Sequence, residues 1–526
     1  MTTIAELEHR RLEAQERLDS QKDAGQRNRA GQFATPPALA LEIATYARER
    51  WRERGDSVRF LDPALGTGSF YSALRQVFPP GMIAAAAGIE LDPAFAGAAS
   101  SLWGPTGLEV IEGDFTETVP PCLDRRFNLL LTNPPYVRHH HLSPEEKQRL
   151  QRAVERGLGI RVSGLAGLYC HFLLLADPWL SDGGIGVWLI PSEFMDVNYG
   201  QAVKRYLTQH VKLLHVHRFS PADVQFADAL VSSAVVVFVK ANPPAGHTVR
   251  FTLGGTLLRP QLEQHLSLSV LQKERKWTKH PRAKESSAPT PHPGLALGDL
   301  FTIKRGLATG ANDFFIVPRE EAARWGIPAE FTKPILPSPR HLTVQVIEAD
   351  RDGYPRLTPA LALIDCDRPE EELRTRYTRF WEYLQTGKRR GITEGYLASR
   401  RSPWYSQEKR APAPFLCTYM GRERAGRKPF RFIWNQSTAL ASNLYLLLYP
   451  KGPLRAALAA APGAHAELFG ALQEIDTDAF VGEGRVYGGG LYKLEPKELG
   501  RIPATPILKA IRGLDVGRQC ELFAEG

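Results

Sequence analysis

Between Val58 and Lys240, short apolar runs alternate with stretches of helical period, and this alternation is the strongest constraint on the fold. The runs are Val58–Leu61, Ile83–Glu90, Glu109–Ile111, Phe127–Leu131, Ile185–Ile190, Lys212–Arg218 and Ser233–Lys240. Parallel strands cannot be joined by a tight turn, so each return needs a helix-sized crossover. A largely parallel α/β sheet of seven strands, with helices on both faces, is expected. The last two runs lie close together, which leaves room for an antiparallel closing strand.

The 526 residues exceed one ordinary hydrophobic core, so two or three domains are expected. Residues 1–30 are charged, with few apolar positions, and read as an N-terminal helical arm or a first packing helix. The α/β pattern fills 31–245. Asn242-Pro243-Pro244 breaks it, and Lys273–Pro293 is basic and rich in Ser, Pro and His, so 246–292 reads as a linker. From 293 to 526 the βα rhythm is lost and aromatic residues stand among basic ones, as in a separate, irregular α+β domain. No apolar run is long enough to span a bilayer; Val231–Val239 and Leu444–Leu448 are strand-sized. Met1–Arg17 lacks an apolar signal core. The cysteines (Cys122, Cys170, Cys366, Cys417, Cys520) are scattered, odd in number and without a CxxC pair. A cytoplasmic chain with reduced thiols, no metal and no membrane partner is expected. The net charge of +9 favours a polyanionic partner through counterion release, without specifying one.

The first run leads into Asp62-Pro63-Ala64-Leu65-Gly66-Thr67-Gly68-Ser69-Phe70. Glycines at a strand-to-helix turn let backbone approach a ligand, here outside the carboxyl ends of the strands. Alone, this is equally a tight turn in any α/β protein. The second run ends in Glu90-Leu91-Asp92, where a carboxylate can accept both ribose hydroxyl hydrogens. The third ends in Asp114-Phe115, where the acid can accept from an adenine amino group and the ring can cover the base. Three acids at successive strand ends indicate a nucleoside cofactor. No P-loop lysine follows the glycines, so a triphosphate is not indicated. The acidic mouth suits a cationic nucleoside such as S-adenosylmethionine, with Asp62 facing its charge.

The fourth run enters Thr132-Asn133-Pro134-Pro135-Tyr136. Consecutive prolines fix φ and lack donors, so the Pro134 carbonyl can be held pointing inward. An exocyclic amine has two hydrogens, and the Asn133 side-chain oxygen and the Pro134 carbonyl can accept one each. That pulls the nitrogen toward tetrahedral geometry and frees its lone pair for attack on a methyl group. Positioning and electrostatics then carry the rate, with no covalent enzyme nucleophile. Tyr136 offers a flat face for a base. Arg138-His139-His140-His141 reads equally as a mobile loop touching nucleic acid or as a solvated loop; three adjacent histidines cannot all face one metal.

These segments resemble, in order, those of class I S-adenosylmethionine-dependent methyltransferases, specifically the gamma group of DNA adenine-N6 methyltransferases of restriction–modification systems. Gly31-Gln32-Phe33-Ala34-Thr35-Pro36-Pro37 comes first, then the glycine turn, then Asn133–Tyr136, then a C-terminal domain. The resemblance implies a Rossmann-like methyltransferase sheet with an α+β target-recognition domain. It implies Thr35 at the methionine part of the cofactor, and Asp62, Ala64 and Gly66 lining its pocket; Gly68 and Pro135 are further candidates to bind it. It implies Glu90 at the ribose and Asp114 with Phe115 at the adenine. Leu65 departs from the cysteine often found there. Phe226, between the last two runs, matches an aromatic that packs against a flipped target base, which cannot react inside the duplex; an ordinary core phenylalanine is the alternative.

Leu300–Asn312, Arg401–Tyr405 and Tyr487–Leu494 are similar to target-recognition segments, more loosely. Arg305, Thr309, Asn312 and Lys493 are the candidate contacts to double-stranded DNA there, and surface charge or a glycine-rich turn explains each about as well. Trp404 and Tyr405 suit a core. The competing readings are an RNA or protein-glutamine methyltransferase on the same scaffold, and an inactive scaffold that binds DNA. A separately encoded restriction endonuclease is the expected partner.

Overall fold

The computed structural model describes residues 3–51, 57–220, 225, 232–281, 295–422, 428–461, 463–476, 479–480, 483–487 and 491–511. The chain divides into two compact units, the first built from Met1–Ala288 with Val486–Gly490, the second from the rest.

The first unit is organised on one nine-stranded sheet. Its strands are β1 (Val58–Asp62), β2 (Ile83–Glu90), β3 (Leu108–Glu112), β4 (Phe127–Thr132), β5 (Leu180–Pro191), β6 (Lys212–Arg218), β7 (Ser233–Val239), β8 (Thr248–Gly255) and β9 (Pro260–Ser267). The order across the sheet is β3-β2-β1-β4-β5-β7-β6-β8-β9. The contiguous strands β3, β2, β1, β4 and β5 are parallel. The order reverses between β1 and β4, and such a switch point opens a crevice at the carboxyl ends of the strands. The central strands are buried on both faces and therefore read as near-continuous apolar runs, with Leu129–Leu131 and Val187–Ile190 nearly inaccessible.

The helices are α1 (Ile4–Ser20), α2 (Ala24–Ala30), α3 (Pro37–Trp51), α4 (Ser69–Val77), α5 (Pro93–Trp103), α6 (Pro144–Leu158), α7 (Leu168–Leu175), α8 (Gln201–Gln209) and α9 (Leu268–Lys273). Of the two expectations for the N-terminus, arm or first packing helix, residues 4–20 form the packing helix: Leu7 and Ala14 join the main core.

Two expectations need correction. The sheet has nine strands, because 248–267 forms β8 and β9 instead of a linker; residues 282–292 lie outside the described residues. Of the seven expected strands the antiparallel one is β7, and it sits inside the sheet between β5 and β6 rather than closing an edge; the added edge strand β9 also runs antiparallel, to β8. β8 carries Thr252, whose hydroxyl bonds His215 Nε2 at 2.7 Å and His217 Nδ1 at 2.8 Å. Buried polar groups on β6 thus find their partner on β8, which makes β6 an interior strand.

The second unit is α+β. A five-stranded sheet orders Phe301–Arg305, Tyr445–Pro450, Phe415–Thr418, Phe432–Asn435 and Val346–Ile347. A three-stranded sheet has Leu361–Ile364 between Ile316–Pro318 and Thr332–Ile335. Trp404 and Tyr405 lie in the core beside the smaller sheet, with Phe314 and Tyr383. Among the described residues, no helix is long and apolar enough to cross a membrane.

Candidate active site

β1 ends at Asp62 and β4 at Thr132, on adjacent strands at the switch point. Thr132 Oγ1 donates to Asp62 Oδ1 at 2.8 Å, and Ala64 N donates to the same oxygen at 3.1 Å. The glycine turn is thereby tied to the strand that carries Asn133–Tyr136. Asp62 is 1 % exposed, and burial pushes its carboxyl up to about 7, with the charge of Glu90 adding to the rise. Glu90 accepts Gly66 N at 2.8 Å on one oxygen and Asp92 N at 2.9 Å on the other. Burial raises this carboxyl as well, against the pull of both amides and of Lys22.

Gly66 and Gly68 have φ of 56° and 90°, in the left-handed region. A Cβ on Gly68 would lie 2.6 Å from Trp103 Nε1, whereas one on Gly66 would meet nothing within 4 Å. The turn is packed on one side and open on the other, as a ligand cradle requires. Asp114 Oδ1 accepts from Thr116 N and Oγ1, both at 2.8 Å, and Oδ2 stands 3.6 Å from Arg149. Phe115, expected to cover a base, is buried against Phe172 and Trp179, at 5.0 and 5.4 Å between ring centroids, so the core holds its ring in place.

Asn133 Nδ2 donates to Phe33 O at 3.0 Å and to Thr35 Oγ1 at 3.2 Å. A carbonyl can only accept, so the amide orientation is determined. Asn133 Oδ1 is buried with no hydrogen-bond partner. Buried acceptors are nearly always satisfied, so this one stands out as an acceptor with its capacity unused. Nothing among the described residues donates to the Pro134 carbonyl. Two acceptors with spare capacity therefore stand on consecutive residues. Tyr136 N donates to Gly31 O at 3.1 Å, and its hydroxyl donates to Leu189 O at 3.1 Å. Its ring is largely buried, 5.8 Å from Phe33 and 6.4 Å from Tyr169, which leaves little of the expected flat face open. Pro135 is half-buried and Arg138 exposed. Phe226 lies outside the described residues.

These residues fit S-adenosylmethionine: an open glycine turn, a buried carboxyl for a cation, and two further acids at neighbouring strand ends. Thr35, Asp62, Ala64, Gly66, Gly68, Glu90, Asp114, Phe115 and Pro135 would hold it.

The sequence reading missed the support beneath this frame. Arg11, on α1, is 1 % exposed and pairs with Glu8 through Nε and Nη2 at 2.8 and 2.7 Å. Its Nη1 donates to Thr67 Oγ1 at 3.1 Å, and that hydroxyl donates to Gln15 Oε1 at 2.8 Å. Trp103 Nε1 donates to Thr67 O at 2.9 Å. Lys22 reaches Asp92 at 2.5 Å and Gln32 at 2.9 Å. The signal in α1 was helical spacing: Leu7, Arg11, Ala14 and Leu18 form one buried face, on which an arginine stands where an apolar residue is expected.

In the second unit, Arg305 lies 4.1 Å over the Tyr419 ring, and Lys493 stands 5.2 Å from the same ring while pairing with Glu495 at 3.0 Å. Thr309 is a correction. It is 1 % exposed, and its hydroxyl donates to Asn312 Oδ1 at 2.6 Å and accepts from Ala311 N at 3.1 Å, so it shapes the turn instead of facing solvent. Asn312 is exposed on that turn.

Comparison with known proteins adds an independent line. The family of Eco57I restriction-modification methylases matches residues 110–225, which include the catalytic-loop candidates. The C-terminal domain family of type II methyltransferase M.Eco57I matches 283–522. The chain is 29% identical over 490 residues to type II methyltransferase M.XamI of Xanthomonas campestris pv. amaranthicola, covering 90% of this chain and 85% of that one. It is 24% identical over 494 residues to type II methyltransferase M.AccI of Acinetobacter calcoaceticus, with the same coverage. Among solved structures, the type IIL restriction-modification enzyme MmeI in complex with DNA aligns with a TM-score of 0.56 at 12% identity, covering 86% of this chain and 67% of that one, a likeness of fold. Over most of its length the chain is thus similar to type II methyltransferases, and two of its segments match Eco57I-type family models.

Proposed function

We propose that this chain is a site-specific DNA adenine-N6 methyltransferase, which protects its host's DNA against a separately encoded restriction endonuclease. The unpartnered, buried Asn133 Oδ1 carries the reading. S-adenosylmethionine, when bound, supplies an electrophilic methyl group. The chain's residues do the rest. Asn133 Oδ1 accepts one amine hydrogen and the Pro134 carbonyl accepts the other. The two contacts hold the nitrogen and turn its lone pair out of conjugation. Both acceptors are in place before the substrate arrives, so little reorganisation is needed at the moment of reaction. Thr35 Oγ1 and the Phe33 carbonyl keep the Asn133 amide from rotating. Adenine is preferred over cytosine on the resemblance of the ordered segments. The base must leave the duplex to reach these acceptors, and Phe226 is the residue we assign to its free face.

The test is transfer of tritiated methyl from S-adenosylmethionine to unmethylated double-stranded DNA, followed by nucleoside analysis. Label in N6-methyladenine is expected. Label confined to RNA or to protein, or appearing as methylcytosine, would refute the assignment.

A further inference from the structure

Helix Thr378–Arg389 in the second unit ends in Lys388-Arg389, is capped by Arg390, and is followed by Gly391, whose φ is 70°. The chain then runs through residues 392–401 along the turn that spans 306–313. Three links fasten the two segments together. Arg390 Nη2 reaches Asp313 Oδ2 at 2.5 Å. Leu397 packs so closely on Gly310 that a Cβ there would lie 3.1 Å from it. Arg401 donates through Nη2 to Ala308 O at 2.6 Å and through Nη1 to Thr309 O at 2.9 Å. Two loops that alone would be loosely held thus form one braced surface.

Its outward residues are unusual for a surface with no partner. Tyr396 is 71% exposed. The Arg400 guanidinium carbon lies 3.7 Å from the Tyr396 ring centroid, and Arg400 Nη1 donates to Tyr396 O at 3.0 Å. Neither Arg389 nor Arg400 has a carboxylate partner among the described residues, whereas Lys388 and Arg390 are paired with Glu370 and Asp313. An unneutralised arginine over an exposed aromatic ring, with a second free arginine at the helix end, matches a polyanion that also offers flat bases. A guanidinium held over a ring has lost much of its rotamer freedom in advance, so binding through it costs less entropy.

We propose that the surface formed by Asn312, Arg389, Tyr396 and Arg400 docks on double-stranded DNA, with the Tyr396–Arg400 pair meeting base edges and Arg389 a phosphate. Arg400 has the planar fork suited to a guanine edge, and Tyr396 the ring that fits against an adjacent base or sugar. Arg401 is the positioning residue that holds the two segments in register. This rests on the reading of the chain as a DNA methyltransferase.

The experiment uses the full chain with unmethylated genomic DNA. In Tyr396→Ala and in Arg400→Ala, KM for DNA is expected to rise about tenfold or more, while kcat, binding of S-adenosylhomocysteine and the melting temperature stay at wild-type values. Arg400→Lys keeps the charge and loses the fork, so it retains the salt dependence but not the affinity. Arg389→Ala lowers affinity for all sequences alike and reduces the slope of affinity against salt by about one ion. DNA KM within about twofold of wild type in both Tyr396→Ala and Arg400→Ala overturns the surface and leaves the activity standing. Wild-type protein that transfers no methyl to duplex DNA overturns both.

Discussion

Asn133 and Asp62 show how a side chain's neighbours decide its chemistry. The Asn133 amide group is consumed by Phe33 O and Thr35 Oγ1, so its oxygen alone is left for a substrate hydrogen. Asn133→Ala should lower methyl transfer by about two to three orders of magnitude. Binding of S-adenosylhomocysteine, measured by calorimetry, should persist; an active variant would refute the role. Asp62 is held up to about 7 by burial. The unfolded chain carries this group near 3.9. Between these values the folded chain keeps a proton that the unfolded chain has shed. The stabilisation from this group is therefore complete below about pH 4 and is lost as pH rises through about 7. Binding of a cation runs the other way, because it selects the carboxylate. Affinity for S-adenosylmethionine should rise with pH to about 7 and then level off, with proton release on binding. Asp62→Asn should remove that dependence, and identical profiles for the two proteins would exclude Asp62 as the titrating group.

Two elements set the geometry of the site from outside the sheet. The segment after α2 crosses the end of β4, and Gly31, at φ 64°, accepts from Tyr136 N. A Cβ at Gly31 would lie 2.5 Å from both Tyr136 N and Val137 N, which are backbone and cannot yield as a flexible side chain would. Gly31→Ala should displace the catalytic loop, lowering kcat about tenfold or more while the cofactor KM changes little. The other element is α1. Arg11→Met should cost about 2–3 kcal/mol in chemical denaturation, since Glu8 loses its buried partner and Thr67 a donor. Its cofactor affinity should also fall, because Thr67 lies between the two turn glycines. Destabilisation with unchanged cofactor affinity would show that the turn keeps its shape without α1.

At the scale of the whole molecule, the edge of the catalytic unit is the decisive difference from expectation. A chain ended at residue 245 lacks β8 and leaves His215 and His217 without Thr252. In the intact sheet, with Thr252 in place, burial holds these histidines down to about 2 and about 4. A chain ended at Ala288 keeps all nine strands. The longer fragment should stay monomeric and bind S-adenosylhomocysteine while losing affinity for DNA; the shorter should aggregate. Gel filtration and calorimetry check both, and a well-behaved 1–245 fragment would show that β8 is dispensable.

Much of the site was legible because it is local. The glycine turn, the acids at three strand ends and Asn133–Tyr136 each occupy consecutive residues at the end of one strand, where spacing and residue type state the chemistry. Period likewise identified β1 to β7. β8 was hidden behind the Asn242-Pro243-Pro244 break although Val249, Phe251 and Leu253 alternate, and β9 was hidden by its polar edge-strand composition. The partners of Thr132 and Tyr396 could not be read at all, and Arg11 showed only as an arginine on the apolar spacing of α1. An arginine in a charged helix looks solvated until the helix is docked, and an exposed tyrosine looks buried until its neighbours are placed. The sequence by itself determined the chemistry available at the strand ends, since that depends on residues a few positions apart. Only the tertiary structure decided which acceptor is left free, which arginine is buried and where the sheet stops, because those follow from partners tens to hundreds of residues away.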